Sequence, residues 1–201
     1  MTRREGCSSY ICGPNPYFLN VRKMKIRFAL LLVLLAAAAR ILPHPDNFSP
    51  IAAMGLFGAA YFQRRWMMVL VPFAGLFLSD LVLNNVIYRE FYPQFTWYTS
   101  LWIYAAFASV MLLGWVMLRH QVKPGRVVTA SLLASGIFFL VTNFSVWLES
   151  GMYSKTMAGL LGCYTAGLPF LTNTILGDLC FSAVLFGAYA WGTKKVLRYE
   201  V

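Results

Sequence analysis

The chain has 201 residues, of which 59% are hydrophobic and only 12% charged, and it carries a net charge of +10. That is more apolar side chain than one soluble core of this length can hide, so the composition excludes an ordinary soluble domain and predicts an all-α integral membrane protein. The positive balance does not point to nucleic acid. The cations stand at the ends of apolar runs, where they set orientation and meet anionic headgroups of the lipid bilayer.

In chain order, residues 1–23 lack helical periodicity and contain Gly, Pro and Asn. They predict a cytoplasmic tail ahead of a single six-helix transmembrane domain over 24–201. Met24 opens MKIRFALLLVLLAAAAR, which has the make-up of a natural start and also of a signal peptide. The apolar run passes through Arg40 into Ile41 and Leu42, which favours an uncleaved first helix from about Ile26 to Leu42.

The stretch RILPHPDNFSPIAAMGLFGAAYF, Arg40 to Phe62, then interrupts the apolar pattern with three prolines, a histidine, an aspartate and an asparagine. Its apolar part, Ile51 to Phe62, covers roughly 18 Å of a hydrocarbon core about 30 Å thick. Either this helix is tilted and extended by its flanks, or the polar loop before it dips into the protein. Pro50 suits a helix start, Ser49 suits its cap, and Gly55, Gly58, Ala59 and Ala60 permit close approach of another helix.

Four longer runs follow, Trp66 to Leu83, Leu101 to Leu118, Val127 to Leu148 and Leu168 to about Trp191, which makes six spans. YREFYPQFTWY, before the fourth span, reads as a loop in the aromatic interface belt. GMYSKTMAGLLGCYTAG, before the last, is too interrupted to span and predicts a short interfacial or re-entrant helix. Of the 17 Lys and Arg, all but Arg40, Arg89 and Lys155 fall on the side of the two termini, which places both termini in the cytoplasm. Cys7, Cys12, Cys163 and Cys180 form no metal or redox pattern, Cys180 reads as a small core residue, and Cys163 has no disulfide partner on its side of the membrane.

The polar residues of the spans gather towards the non-cytoplasmic side. Asp80 and Asn84 are four apart on the third helix, Asn143 and Trp147 on the fifth, and Thr174 and Asp178 on the sixth, which is expected to begin near Pro169. Arg40, His44, Asp46, Asn47, Thr172 and Asn173 approach the same level. Ionisable groups at such depth cost several kcal/mol unless paired or wetted. Arg40 with Asp80 or Asp178 is therefore either a clip between helices or part of a ligand site. Asn143 and Trp147 are either an interhelical bond and a belt residue or solute contacts, and His44 is either a headgroup residue or a ligand or proton group. Glu90 and Glu149 read as solvated loop charges. No histidine pair at metal spacing, GxSxG elbow or Walker loop is present, so no enzyme activity, metal or cofactor is expected.

Four blocks in order carry a resemblance: RILPHPDNFSPIAAMGLFGAAYF, LSDLVLNN, FFLVTNFSVWLESGMY and GLLGCYTAGLPFLTNTILGDLCFSAVLFG. They resemble a bacterial membrane family catalogued as domain of unknown function 6580, described only as candidate transport proteins, over most of Met24 to Trp191. More loosely, that family is similar to the substrate-binding S-components of energy-coupling factor (ECF) vitamin transporters. The resemblance implies an S-component-like bundle with a solute site in its outer half, covered by His44 to Pro50 and Tyr153 to Leu168. It also implies docking of an ECF-type scaffold subunit with its ATPases on small-residue faces of the first helices. The AxxxA signature usual in S-components is replaced here by Ala29 and Val33.

The expectation is a transport protein of the cytoplasmic membrane that binds a vitamin or other small-molecule solute. Its substrate-binding residues are Arg40, His44, Asn47, Asp80, Asn84, Asn143, Trp147, Tyr164, Asn173 and Asp178. The alternatives are a structural or assembly protein whose polar residues only pack helices, and a membrane enzyme acting on a lipid through Asp80 or Asp178.

Overall fold

A computed structural model describes residues 16–198, with side chains for residues 20–194. Cys7, Cys12, Arg3, Arg4 and most of the expected tail lie outside the described residues. So do the side chains of Lys195 and Arg198. All regular structure among the described residues is helical: α1 (Pro16–Ala39), α2 (Ile51–Tyr61), α3 (Arg65–Val82) running into a π-helical turn (Leu83–Ile87), α4 (Leu101–Leu118), α5 (Pro124–Glu149) and α6 (Met157–Arg198).

α1 begins ten residues before the expected Ile26, so residues 16–23 are helix rather than irregular tail. Its Ala29, Leu32, Val33, Ala36 and Ala37 recur at helical spacing and are buried, while Leu31, Leu34 and Leu35 face outward. The small residues thus turn into the bundle. They leave mainly leucines, with Ala38 near the helix end, on the outer face where a scaffold subunit was expected to slide.

α2 is the post around which the others stand. Nine consecutive residues, Ile51 to Ala59, are buried, so this helix has no solvent or lipid face. It touches α1, α3, α4, α5 and α6. The close approach depends on glycine: a Cβ at Gly58 would collide with Pro72 Cγ, and one at Gly55 would stand 3.0 Å from the Phe107 ring. Gly114 of α4 returns the contact against Leu56 and Ala59. These small residues serve the chain's own packing.

Successive helices run in opposite directions. Gly75 of α3 lies beside Val33 and Ala37 of α1, three residues before Arg40 meets Ser79 and Asp80. Between α5 and α6 the pairs Ser131–Ser182, Ser135–Asp178 and Asn143–Cys163 step in antiparallel order. The connections 40–50, 88–100 and 150–156 therefore share one end of the bundle. Arg64, Arg119 and Lys123 belong to the connections at the other end and Arg65 opens α3 there, beside the first turns of α1 that carry Arg22, Lys23, Lys25 and Arg27.

Four helical stretches are long and apolar enough to cross a membrane: Arg65–Ile87, Leu101–Leu118, Pro124–Glu149 and Met157–Lys194. α2 is shorter, as its sequence indicates. The chain has the helical make-up of a multi-pass membrane protein.

Three expectations about the last helix are corrected. The segment before it is not a separate re-entrant helix, because α6 starts at Met157 and runs without a break for 42 residues. Pro169 lies inside this helix rather than in its first turn; a proline there forgoes one backbone hydrogen bond, which a packed bundle tolerates. Cys180 is exposed on the outer face of α6, not a core residue. Glu149 is exposed, as a solvated charge would be, but it closes α5 rather than standing in a loop, and it accepts from Trp102 Nε1 at 2.7 Å.

Candidate functional site

α2 starts somewhat deeper than α4, because Gly55, four residues into α2, meets Phe107, six residues into α4. Space is therefore left above its first turn, and the connections 40–50 and 88–100 do not fill it. The result is a cavity of about 600 Å³, within the size range of small-molecule sites. Ile51 and Ala52 of α2 line its floor, and Asp46, Asn47 and Tyr88 stand at its rim. A second lobe of about 370 Å³ adjoins it between α5 and α6, sharing Asn47, Phe138, Thr142 and Phe170 with the first.

The floor is polar in an unusual way. α2 begins at Pro50 with no side-chain cap, so the expected Ser49 cap does not form. The Ser49 hydroxyl is buried without any hydrogen-bond partner. The first-turn N–H groups of α2 have no partner within the helix, and they carry the positive end of its dipole at the cavity floor.

Asn84 sits on the π-helical turn, where Tyr88 N–H reaches back five residues to Leu83 O at 2.7 Å. Such turns change which face a side chain occupies. Here Asn84 is buried at 1% exposure yet lines the cavity. Its Oδ1 accepts from Thr99 Oγ1 at 3.1 Å, and its Nδ2 has no partner. The neighbouring Asn85 clasps the α3–α4 connection: its Nδ2 donates to Leu81 O and Thr96 O, and its Oδ1 accepts from Thr96 N–H at 2.9 Å.

Two buried acids flank this floor and differ in company. Asp80, fully buried, accepts from Arg40 Nη2 at 2.8 Å and from Tyr104 OH at 2.9 Å. Arg40 also donates from Nη1 to Leu76 O at 3.1 Å and to Ser79 Oγ. Asp178, 2% exposed, accepts only from Ser135 Oγ at 2.6 Å, and no cation lies against it among the described residues. Asp178 lines the cavity; Asp80 stands behind Arg40, away from the wall. No group of three or more metal-ligating side chains occurs among the described residues.

Of the ten residues expected to bind solute, Arg40, His44, Asn47, Asn84 and Asp178 line the main cavity, and Asn143 lines the side lobe. Four do not line either space. Asp80 is sealed behind Arg40. Trp147 turns to the connection between α5 and α6, where its Nε1 donates to Ser154 O at 2.9 Å and Lys155 lies over its ring. Tyr164 OH donates to Leu140 O at 2.8 Å, and Asn173 Nδ2 donates to Asp46 O at 3.0 Å, tying α6 to the α1–α2 connection. Spacing of four put Trp147 with Asn143, but Ser154 and Lys155 draw Trp147 to the α5–α6 connection and the two part company.

Sequence reasoning missed Tyr88, Tyr92 and Thr99 from the aromatic connection and Thr142 and Ser145 from α5. The hydroxyl residues carried a usable signal, since Phe138, Thr142 and Ser145 recur at helical spacing on one face. The aromatic connection carried none, because belt residues and cavity residues have the same composition.

No curated protein and no solved structure matches the chain. One family model does, over residues 21–199, nearly the whole of the described chain. The chain belongs to that family, the family of unknown function DUF6580.

Proposed function

We propose that this chain is a solute-binding transport protein of the cytoplasmic membrane, with six spanning helices, both termini inside and the cavity facing outward. The orientation rests on the cation-rich end of the bundle, which the positive-inside rule puts in the cytoplasm. The observation that carries the solute reading is the unfinished hydrogen bonding on the cavity wall. Asn84 Nδ2 and Ser49 Oγ are buried without partners beside an uncapped helix start and an unpaired Asp178. Groups of this kind are costly in a finished core, and a bound polar molecule would complete them. Capture from outside and release inside would follow the S-component pattern, and the energy would come from a partner such as an ECF-type scaffold with ATPases. That partner would meet the leucine face of α1, since the small residues are already packed.

The test is a thermal-shift screen of the purified chain against vitamins and other metabolites, repeated on Asp178→Asn and Asn84→Ala. The expected result is a stabilising compound whose effect falls in both variants. A screen without any hit, or equal stabilisation of all three proteins, overturns the reading. The structural alternative draws its support from Arg40 and Asp80, whose network is complete without a ligand. It expects a protein partner to co-purify in fixed ratio and no compound to bind.

A further inference from the structure

The chemistry of the wall can be read by following each polar proton. On the α5–α6 side, Thr142 Oγ1 donates to Phe138 O at 2.8 Å, Ser145 Oγ to Thr142 O at 2.7 Å and Thr174 Oγ1 to Phe170 O at 3.0 Å. A hydroxyl has one proton, so these three have only lone pairs left for the cavity. Asp178 adds an acceptor on the same side, with no cation against it among the described residues. This half of the wall accepts hydrogen bonds and attracts positive charge.

The α2–α3 side has the opposite character. Thr99 already donates to one lone pair of Asn84 Oδ1, whereas the Asn84 Nδ2 donor is buried and has no partner at all. The Ser49 hydroxyl has its proton free. The uncapped first turn of α2 contributes backbone N–H groups and the positive end of a helix dipole. The nearby Arg40 and Asp80 cancel as an ion pair, and the carboxylate of Asp46 belongs to the exposed rim. This half of the wall donates hydrogen bonds and favours a partial or full negative charge.

Resting on the solute-binding reading above, we infer that the cavity takes an amphoteric solute, a small molecule with an ammonium or N–H donor group at one end and a carboxylate or comparable acceptor at the other. The donor end lies against Asp178 with Thr142, Ser145 and Thr174. The acceptor end lies against Asn84 Nδ2 and the start of α2. The apolar lining contributed by Ile51, Leu83, Ile103, Phe138 and Phe170 suits a ring or short hydrocarbon in the middle of the molecule.

The experiment uses the full chain in lipid nanodiscs and isothermal titration calorimetry. The probes are aromatic amino acids and aromatic dipeptides, each with its N-acetylated, C-amidated and doubly blocked form. Unblocked compounds are expected to bind, and each single block to weaken binding by about ten-fold or more through loss of a charge-assisted hydrogen bond. Asp178→Asn is expected to remove the penalty for N-acetylation while keeping that for C-amidation, and Asn84→Leu to do the reverse. The wild-type series stands without the variants if either fails to fold. Doubly blocked forms binding as tightly as their parents leave a solute site in place and overturn the amphoteric assignment. The assignment is equally overturned if these probes fail while the metabolite screen yields only stabilisers of a single charge sign. Failure of every compound in both experiments removes the solute site as well.

Discussion

Asp80 and Asp178 invite comparison because each is a buried carboxylate on an apolar helix, and they differ in what surrounds them. Asp80 has a guanidinium and a phenol within 3 Å and belongs to a closed network joining α1, α3 and α4. Asp178 has one serine and an open cavity. A buried charge with a complete set of partners is a structural fastening; one that lacks them is a place where something else is accommodated. Burial alone does not separate the two cases, whereas counting partners does.

The contrast can be broken most directly at the fastening. Asp80→Asn or Arg40→Met leaves one buried charge without its partner, and either should lower unfolding stability by about 3–5 kcal/mol, measured by SDS or urea unfolding in micelles. Replacing both by Met and Leu together should recover much of that loss, and a double-mutant cycle would read the coupling. A steric control sets the scale: Gly58→Val, which touches neither acid, forces a Cβ into Pro72 and should cost about 1–3 kcal/mol in the same assay. Tyr104→Phe removes a single hydrogen bond to Asp80 and should cost about 1 kcal/mol. Asp178→Asn should change stability least, by under about 1 kcal/mol in either direction, because the amide keeps the shape and takes away an unpaired charge. If Asp178→Asn instead unfolds the protein as severely as Asp80→Asn, the two acids are equivalent and the comparison fails.

Much of the helical plan was legible in the sequence. The fourth helix runs from Leu101 to Leu118, as its apolar run indicates, because polar residues bound that run sharply on both sides. The pattern misleads where small and polar residues look like breaks. Gly159, Gly162, Thr165 and Gly167 resemble a loop in isolation, yet α6 passes through all of them, with Gly167 packed against Asn143 of α5. The choice between Asp80 and Asp178 as the partner of Arg40 was not legible, because it depends on which helices lie side by side. Nor was the role of Asn84 beyond its depth: the π-helical turn that brings it to the wall leaves no mark in residue spacing.

The length of α6 has a further consequence. Its 42 residues extend about 63 Å, roughly twice the thickness of a bilayer's hydrocarbon. Even the steepest tilts usual for membrane helices would not submerge such a rod, so part of it must emerge among headgroups or in water. The stretch ahead of Pro169 carries Cys163, Ala166 and Gly167, one wall of the side lobe. At Pro169 the Thr165 carbonyl has no amide four residues on to receive, which makes that point the weakest joint in the rod. Flexing there would swing the upper arm and alter the aperture, while Asp178, more than two turns further along, kept its station.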